Sequence, residues 1–402
     1  MRAIYVEKVL PKMLAVKALR PIWPGVIWSP FSPVRVAKEL PDPPLPGDRW
    51  LRVRNRMAGI CSTDLSLLLV EAEPQIAPVA LPGNYRFYLG HEVVGDVVEV
   101  APGVKRFTVG DRVVMESRFA GSNCHTQEIV PPCPFCAQGQ TRLCENASLR
   151  QGPTGVGGGW GDGYTAHEAE LWPVSPDLED EQAIFIEPLS VALHGVLRRP
   201  PTAGAHALVI GGGTIGLLTG HVLRALFPQS HLTMIVRYEH QEQAARALGA
   251  QEVLRGGELY PQLARISGAR HYTFPFNRGM LLGGFEVVYN CVGSPQALTD
   301  GLRWARGGGT VVMVGFTLGM VKVDLNPIWY QEVNLVGSHT FGVEWWDGKT
   351  VHTFDLVIDL LRSGKIDPRP LITHRFPFEE HRRAVATALD KRLGSIKVVF
   401  RY

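Results

Sequence analysis

One segment constrains the fold of this chain more than any other: residues 206–227, with the sequence HALVIGGGTIGLLTGHVLRALF. An apolar run leads into a glycine-rich turn, and the residues after the turn have the spacing of an amphipathic helix. Gly211, Gly213 and Gly216 form the pattern G-x-G-x-x-G between the two. A strand, a glycine turn of this kind and a helix together predict a dinucleotide-binding βαβ unit.

Each part of this turn has a physical role in holding a pyrophosphate. The first glycine permits the tight turn, the second lets the backbone approach the phosphates, and the third lets the helix and the strand pack closely. The helix that starts at Thr214 and Ile215 offers N–H groups and a positive dipole to the same phosphates. The alternative is a purely structural glycine turn, which the flanking strand and helix disfavour.

The end of the next predicted strand decides between NAD and NADP. An acidic residue there binds the ribose 2′-hydroxyl of NAD, whereas an arginine accommodates the 2′-phosphate of NADP. In this sequence the position falls on Val236, which is followed by Arg237 and Tyr238. Arg237 therefore favours NADP(H) over NAD(H), unless the arginine is solvated and Glu239 reaches the ribose instead.

The character of the sequence changes near residue 190, which predicts more than one domain. Residues 1–190 are rich in proline and glycine and contain short runs of alternating polarity, as in β-strands joined by tight turns. Residues 191–340 alternate strand and helix patterns, which predicts a doubly wound parallel sheet. Residues 341–402 hold two predicted helices and a final strand, SIKVVFRY. The predicted fold class is therefore α/β with a β-rich domain beside it.

The totals exclude several other classes of protein. The chain has 402 residues, 45% hydrophobic and 20% charged, with a net charge of +3, as in an ordinary globular protein with room for two cores. Its basic residues form no stripe for nucleic acid. It has no apolar run of 18 residues for a membrane span, and its first residues lack the pattern of a secretory signal. We therefore expect a cytoplasmic protein, in which clustered cysteines bind metal more often than they form disulfides.

A second set of residues has the chemistry of a metal site. Cys61 lies at the predicted exit of a strand, His91 and Glu92 follow a turn, and Glu187 comes just before the dinucleotide-binding segment. A thiolate, an imidazole and a carboxylate together are typical ligands of zinc. These residues are far apart in the sequence, so their spacing alone does not show that they meet.

Five motifs occur in an order that resembles the zinc-dependent medium-chain dehydrogenase/reductase superfamily, which includes alcohol, sorbitol, threonine and glucose dehydrogenases. They are GICSTD, GHEVVGDVVEVAPGVKRFTVGDRVV, CPFCAQGQTRLCEN, EPLSVALHG and VIGGGTIGLL. The resemblance covers about residues 45–402, while the start of the chain is longer than usual and RISGARHYTFPFNRGMLLGG looks like an insertion. It implies a GroES-like catalytic domain split around a Rossmann domain, with residues 341–402 returning to the catalytic domain and the active site in the cleft.

The resemblance implies a catalytic zinc held by Cys61 and His91. In this family the third protein ligand comes from the residue that matches Glu92 or from the one that matches Glu187, and both remain candidates. The motif EPLSVALHG is most similar to the polyol branch, in which the counterpart of Glu187 contacts the zinc water and the substrate. The alternative for Glu92 is a supporting position beside the ligands.

Three further roles are implied along GICSTDLS. Thr63 matches the hydroxyl residue that takes the substrate proton. Asp64 matches an acid that orients the metal-binding histidine, a common arrangement around zinc. Ser66 stands where some alcohol dehydrogenases have a relay histidine, and this departure leaves the outer part of the proton path open. Waters or a hydroxyl of the cofactor ribose could take the place of the histidine.

Members of the family often have a second, structural zinc in a lobe with the spacing C-x2-C-x2-C-x7-C. Cys133, Cys136 and Cys144 match the last three cysteines, while a valine occupies the first position. We expect Cys124 to fold back as the fourth ligand of a closed, tetrahedral site. The alternatives are His125 as the ligand, or a lobe that binds no metal.

Together these features predict the reversible oxidation of an alcohol, polyol or sugar-like substrate by NAD(P), assisted by zinc. One alternative is a zinc-free quinone or enoyl reductase of the same superfamily, which Cys61, His91 and the cysteine lobe disfavour. Another is a nucleotide-binding protein without catalysis, which the intact set of site residues disfavours. The expected partners are a small-molecule alcohol or carbonyl and further copies of the chain, in a homodimer or homotetramer.

Overall fold

The computed structural model describes residues 1–77, 84–116, 123–150 and 156–402. They fold into two compact units. The first consists of Met1–Glu187 and Ile372–Tyr402, and the second of Pro188–Leu371. The chain therefore leaves the first unit once and returns to it near its end.

The first unit begins with short strands joined by turns, as its proline- and glycine-rich sequence predicts. Its elements before the second unit are β1 (Ala3–Glu7), α1 (Leu10–Leu19), β2 (Val34–Ala37), β3 (Trp50–Gly59), α2 (Ser62–Leu68), β4 (Arg86–Tyr88), β5 (Val93–Val100), β6 (Arg112–Met115), α3 (Pro134–Ala137), β7 (Gly163–His167), β8 (Leu171–Pro173) and α4 (Asp180–Ala183). Helix α5 (Ile186–Arg198) then carries the chain into the second unit.

The second unit alternates strands and helices. Its elements are β9 (His206–Ile210), α6 (Thr214–Leu226), β10 (His231–Ile235), α7 (Glu239–Ala247), β11 (Glu252–Leu254), α8 (Leu259–Ser267), β12 (Arg270–Phe274), β13 (Asn277–Leu282), β14 (Phe285–Asn290), α9 (Pro295–Trp304), β15 (Ala305–Met313), α10 (Asn326–Tyr330), β16 (Asn334–Gly337), β17 (Val343–Trp346), β18 (Lys349–His352) and α11 (Thr353–Arg362). Six strands form a parallel sheet in the order β11-β10-β9-β14-β15-β16. This is the doubly wound order of dinucleotide-binding folds, so the predicted Rossmann domain is confirmed.

The chain then returns to the first unit through β19 (Ile372–Pro377), α12 (His381–Leu389) and β20 (Lys397–Arg401). Strand β20 pairs antiparallel with β3 and so joins a seven-stranded sheet of order β19-β20-β3-β5-β6-β8, in which β7 also pairs with β3. A smaller sheet has the order β2-β1-β4. The β-rich domain of the predicted fold class is therefore confirmed.

The return begins later than the sequence suggested, at Ile372 rather than at residue 341. The residues between belong to the second unit, where β17 and β18 form an antiparallel hairpin ahead of α11. This hairpin is anchored by a hydrogen bond between the Glu344 carboxylate of β17 and Nδ1 of the buried His194 of α5. The sequence did not predict this hairpin, since its two short strands show no pattern that indicates which core they join.

The burial of the strands follows their patterns of polarity. In β3, Val53 and Met57 are buried while Arg54 and Arg56 are exposed, as expected of a strand with one face on the core. In the second unit the central strands β9 and β14 are mostly apolar and almost entirely buried, as expected of a sheet covered on both faces. None of the described helices is long and apolar enough to cross a membrane.

Two segments interrupt these folds. The predicted insertion after α8 forms the hairpin of β12 and β13. The longer one, residues 8–33, lies between β1 and β2 and is here named the N-terminal insert. It contains α1 and a 3₁₀ turn (Pro24–Trp28), and its Val16 packs in one apolar core with Leu65 and Leu68 of α2. The insert therefore contacts the helix that follows Cys61.

Candidate active site

The glycine turn has the geometry of a pyrophosphate-binding loop. It connects β9 to α6, with Gly211 in a positive-φ conformation (+116°). A Cβ atom at Gly216 would overlap the carbonyl oxygen of Gly211, whereas one at Gly213 would meet nothing within 4 Å. The first turn of α6, from Thr214 and Ile215, points its N–H groups toward this opening. The open backbone at the second glycine fits the approach of a phosphate.

Arg237 lies where the sequence placed it, just beyond the carboxyl end of β10. The N–H groups of Arg237 and Tyr238 both donate to Oε1 of Gln241, at 3.1 and 3.2 Å, which fixes the backbone of this corner. The guanidinium of Arg237 lies over the Tyr238 ring, 5.6 Å from its centroid. Glu239, the alternative ribose ligand, faces Arg255 at 3.7 Å instead. The corner therefore has a valine, Val236, at the position where an NAD-specific site would carry a carboxylate, and a cationic group next to it.

The first unit brings three of the predicted metal ligands together. Cys61 follows β3 and caps the start of α2, while His91 and Glu92 follow the turn before β5. One ligand atom from each of the three side chains lies within 4.8 Å of the other two. Residues distant in sequence thus meet because β3 and β5 are neighbours in the same sheet.

Asp64 holds this set in place. Its carboxylate is fully buried and accepts hydrogen bonds from the N–H of Gly90, at 2.9 Å, and from Nδ1 of His91, at 3.2 Å. A ring that donates through Nδ1 keeps its lone pair on Nε2, as a metal-binding histidine requires. Burial lowers the pKa of His91, but the charges of Asp64 and Cys61 outweigh it, so that the pKa lies well above its ordinary value. These surroundings stabilise a positive charge, and the same negative groups would also stabilise a bound metal cation.

Glu187, the other predicted acid, lies near the three residues but outside the cluster itself. It stands in the first turn of α5 and is buried. Its pKa is raised to about 7. Burial is the main cause and the charge of Glu92 adds to it, while the charges of His91 and Lys397 act in the opposite direction. A carboxyl group with this pKa exchanges a proton near neutrality.

One charged residue of this site was not predicted from the sequence. Lys397, on β20, is buried and forms an ion pair with the buried carboxylate of Glu92. The two residues are 305 positions apart, so no local motif connects them. The available signal was a lysine at an inward position of the apolar strand SIKVVF, because buried lysines are rarely found without a partner.

Thr63 lies two positions after Cys61, in the first turn of α2. Its hydroxyl is 3.7 Å from the Cys61 sulfur. It is therefore close enough to the ligand set to contact a molecule bound there. The remaining predicted site residues, at the glycine turn and at Arg237, belong to the second unit.

The four cysteines of the lobe converge as expected. Their Sγ atoms lie within 4.8 Å of one another, and Cys124 is fully buried. Backbone N–H groups point at the sulfurs: Cys133 donates to Cys124 at 3.4 Å, and Cys136 donates to Cys133 at 3.5 Å. The second of these bonds is the main reason that the pKa of Cys133 falls to about 6. His125 binds the carbonyl of Cys136 through Nε2, at 3.1 Å, and lies outside the cluster.

A closed set of four thiol groups has the composition of a structural zinc site. The set lies in a loop whose apolar contacts are few: among the described residues, its cluster contains Ile129 beside the cysteines themselves. Asn146 adds a hydrogen bond to the Cys124 sulfur at 3.3 Å. The donors and the burial both fit a metal ion, whose binding energy would stabilise a segment that has little core of its own.

Comparison with known proteins is consistent with this geometry. Residues 47–176 match the family model described as alcohol dehydrogenase GroES-like domain, and residues 214–361 match the one described as zinc-binding dehydrogenase. Among curated proteins, the chain is 28% identical to L-idonate 5-dehydrogenase of Vitis vinifera over 363 residues, 87% of each chain. It is 29% identical to sorbitol dehydrogenase of Arabidopsis thaliana, over 89% of this chain and 90% of the relative.

A solved structure has a similar fold. The 2R,3R-butanediol dehydrogenase of Bacillus subtilis superposes with a TM-score of 0.71 at 25% identity, over 92% of this chain and 96% of that one. Both halves of the fold and both sets of candidate ligands therefore lie within stretches of chain that these proteins share.

Proposed function

The chain belongs to the zinc-dependent medium-chain dehydrogenase/reductase superfamily, and we propose from this premise that it is a zinc-dependent polyol dehydrogenase that uses NADP(H). The observation that carries the proposal is the meeting of Cys61, His91 and Glu92 beside the buried Asp64. Two anionic ligands and one imidazole leave a fourth position for substrate, as in catalytic zinc sites.

Glu92 is the third protein ligand in this proposal. Its carboxylate lies within the cluster, whereas that of Glu187 does not. The ammonium of Lys397 offsets part of the negative charge that Cys61 and Glu92 bring together. A bound zinc ion would act as a Lewis acid that lowers the pKa of an alcohol hydroxyl toward neutrality.

The chain's own residues then handle the proton and place the substrate. The Thr63 hydroxyl accepts the proton of the substrate alcohol and passes its own proton outward. The buried carboxyl group of Glu187, near the cluster, binds a second substrate hydroxyl. A bound nicotinamide cofactor would accept the hydride that the substrate carbon loses as the alcohol becomes a carbonyl.

The names of the relatives support a substrate with several hydroxyl groups. They act on idonate, sorbitol and butanediol, and each of these has a hydroxyl beside the one that is oxidised. A second carboxyl group near the ligand set suits such a substrate, because it accepts a hydrogen bond from the neighbouring hydroxyl. Glu187 is the residue we assign to this task.

The preference for NADP rests on Arg237. A guanidinium beyond the end of β10 forms charge-assisted hydrogen bonds with a 2′-phosphate, worth about 1.5–3 kcal/mol each. The structural site, in this proposal, is a zinc ion bound by Cys124, Cys133, Cys136 and Cys144.

The test is the change in absorbance of the nicotinamide cofactor with purified protein. A panel of polyols, simple alcohols and sugars is run with NAD and with NADP, before and after a zinc chelator. We expect polyol oxidation that the chelator abolishes, a lower KM for NADP, and a KM for NADP that rises about tenfold in Arg237→Ala. Arg246→Ala, on the exposed side of α7, is the control and should keep the wild-type KM. Chelator-resistant turnover, or equal use of both cofactors by wild type and Arg237→Ala, would contradict the zinc or the NADP part respectively.

A further inference from the structure

At the end of α2 the chain turns back over the helix, and two backbone hydrogen bonds fix the conformation of this turn. Leu69 donates its N–H to the carbonyl of Leu65, and Glu71 donates its N–H to the carbonyl of Ser66, both at 2.9 Å. Between them Val70 has a left-handed conformation, with φ of +55°, which is strained for a β-branched residue. The Val70 side chain is buried in the core shared by α2 and the N-terminal insert, and this packing offsets the strain.

This turn places two polar side chains in direct contact. The Ser66 hydroxyl donates to Oε2 of Glu71 at 2.8 Å. The other oxygen of Glu71, Oε1, is 3.4 Å from Nη1 of Arg20, which also donates to the carbonyl of Leu69 at 3.0 Å. Arg20 belongs to the N-terminal insert, a segment that lies outside the matched family model. The position of Glu71 is thus fixed from two sides.

The pair leads from the ligand set to the solvent. Ser66 follows Thr63 by three positions on α2, and side chains with this spacing lie on the same face of a helix, about 5–6 Å apart at Cβ. Thr63 and Ser66 are both half-buried, whereas the Glu71 side chain is 40% exposed. One water molecule suffices to bridge two hydroxyls at that separation.

We propose that Ser66 and Glu71 form the outer part of the route by which the substrate proton leaves the active site. This inference rests on the proposed function, since alcohol oxidation sends two electrons to the nicotinamide as hydride and leaves one proton to dispose of. The Thr63 hydroxyl takes that proton as its own O–H proton passes to the bridging water. The water passes a proton to Ser66, whose O–H proton passes to the Glu71 carboxylate and from there to bulk water.

The charged groups around Glu71 suit this task. Arg20 holds the carboxylate in place, Lys17 binds the carbonyl of Ala72 at 2.6 Å, and Glu73 follows two residues later. Two cations and a second acid thus lie close to the exit. The Glu71 carboxylate is also open to water and buffer, which is what the end of a proton route requires.

The test compares Glu71→Gln with the wild type and with Glu99→Gln. Glu99 is a suitable control because it is also exposed and also paired with an arginine, Arg52 at 2.8 Å. The measurements are kcat for polyol oxidation from pH 6 to 10, with and without added imidazole, and the thermal midpoint. In Glu71→Gln we expect kcat near neutral pH to fall about tenfold, the pH profile to move to higher pH, and imidazole to restore the rate as an external proton acceptor. Glu99→Gln should match the wild type throughout.

The other outcomes overturn the proposal in distinguishable ways. A wild-type pH profile in Glu71→Gln, without a response to imidazole, would show that the proton leaves elsewhere. A lower kcat together with a lower thermal midpoint, and no rescue by imidazole, would show that Glu71 only holds the turn. Absence of turnover in the wild type would refute the proposed function and the proton route together.

Discussion

Asp64 is the residue on which the geometry of the proposed zinc site depends most. It is fully buried, and it accepts hydrogen bonds from the His91 ring and from the Gly90 backbone, so it fixes both the ligand and the turn that carries it. Lys397 has the corresponding role for Glu92 from the opposite end of the chain. His91 and Glu92 thus each have one buried partner. Asp64 accepts a hydrogen bond from His91, and Lys397 forms an ion pair with Glu92.

Asp64→Asn is expected to lower the affinity of the catalytic site for zinc by about 10–100-fold. The amide oxygen still accepts the Gly90 N–H, but it carries no charge to hold the His91 ring as a donor. The affinity is measured by competition with a chromophoric chelator. Asp96→Asn, on the exposed pair with Arg56, should leave it unchanged, and an unchanged affinity in Asp64→Asn would refute the orienting role.

Glu116 gives the first unit a dependence of stability on pH. Its pKa is raised from 4.5 to about 7. Burial is the main cause and the nearby Glu170 adds to it, while the hydroxyl of Thr141, which donates to the carboxylate at 3.1 Å, acts in the opposite direction. Because the folded state binds this proton more tightly than the unfolded state, folding is favoured at low pH. The stabilisation is lost as the pH rises from about 4.5 through about 7.

Glu116→Gln should therefore be about as stable as the wild type at pH 5 and more stable at pH 8, by up to about 3 kcal/mol. The measurement is the thermal midpoint of both proteins across this range. Glu99→Gln, a change at an exposed acid, should follow the wild type at every pH. A difference between Glu116→Gln and wild type that is constant with pH would contradict the assigned titration.

At the scale of elements, the cysteine lobe differs most from the rest of the fold. Its short helix α3 and its turns have little apolar surface to bury, so the four sulfurs provide most of the interior of the lobe. Cys124 reaches them across a longer loop than the usual family spacing. The Cys133 N–H and the Asn146 side chain both donate to its sulfur and hold it within the cluster.

Cys124→Ser should remove one of two zinc ions per chain and lower the thermal midpoint, while the catalytic zinc remains. Zinc is counted by elemental analysis of the purified variant. Cys291→Ser is the control: its thiol is half-buried, 3.6 Å from the Thr219 hydroxyl of the second unit, and its loss should leave both zinc ions bound. Two zinc ions in Cys124→Ser would show that the fourth ligand is another residue.

The elements with regular patterns were predictable from the sequence, and those defined by long-range packing were not. The segment LRVRNRMAGI is one of the runs of alternating polarity in residues 1–190, and this alternation predicted β3. The apolar run with glycines predicted β9 and α6. Helix α1 was not predicted, because its apolar residues show a weak periodicity and its Val16 is buried only by contact with α2. The contact between Ser66 and Glu71 depends on a strained turn at Val70, which the residue types of this segment do not predict.

At the scale of the whole molecule, the first unit is assembled from both ends of the chain. Its ligands come from the N-terminal part, while β20 brings Lys397 from the end to the same site. The motifs identified Cys61, His91 and Glu92 individually, but their meeting depends on the pairing of β3 with β5 and with β20. The sequence therefore identified the candidate ligands, but it did not show that they lie close together in the fold.

The most direct test of the central claim is a parallel measurement of zinc content, NADP binding and polyol oxidation in Cys61→Ala and the wild type. The account predicts that Cys61→Ala contains one zinc ion fewer, oxidises no polyol at a measurable rate, and binds NADP with unchanged affinity, because the glycine turn and Arg237 belong to the other unit. Wild-type turnover in Cys61→Ala, or an unchanged zinc content, would show that the cluster of Cys61, His91 and Glu92 is not the catalytic metal site.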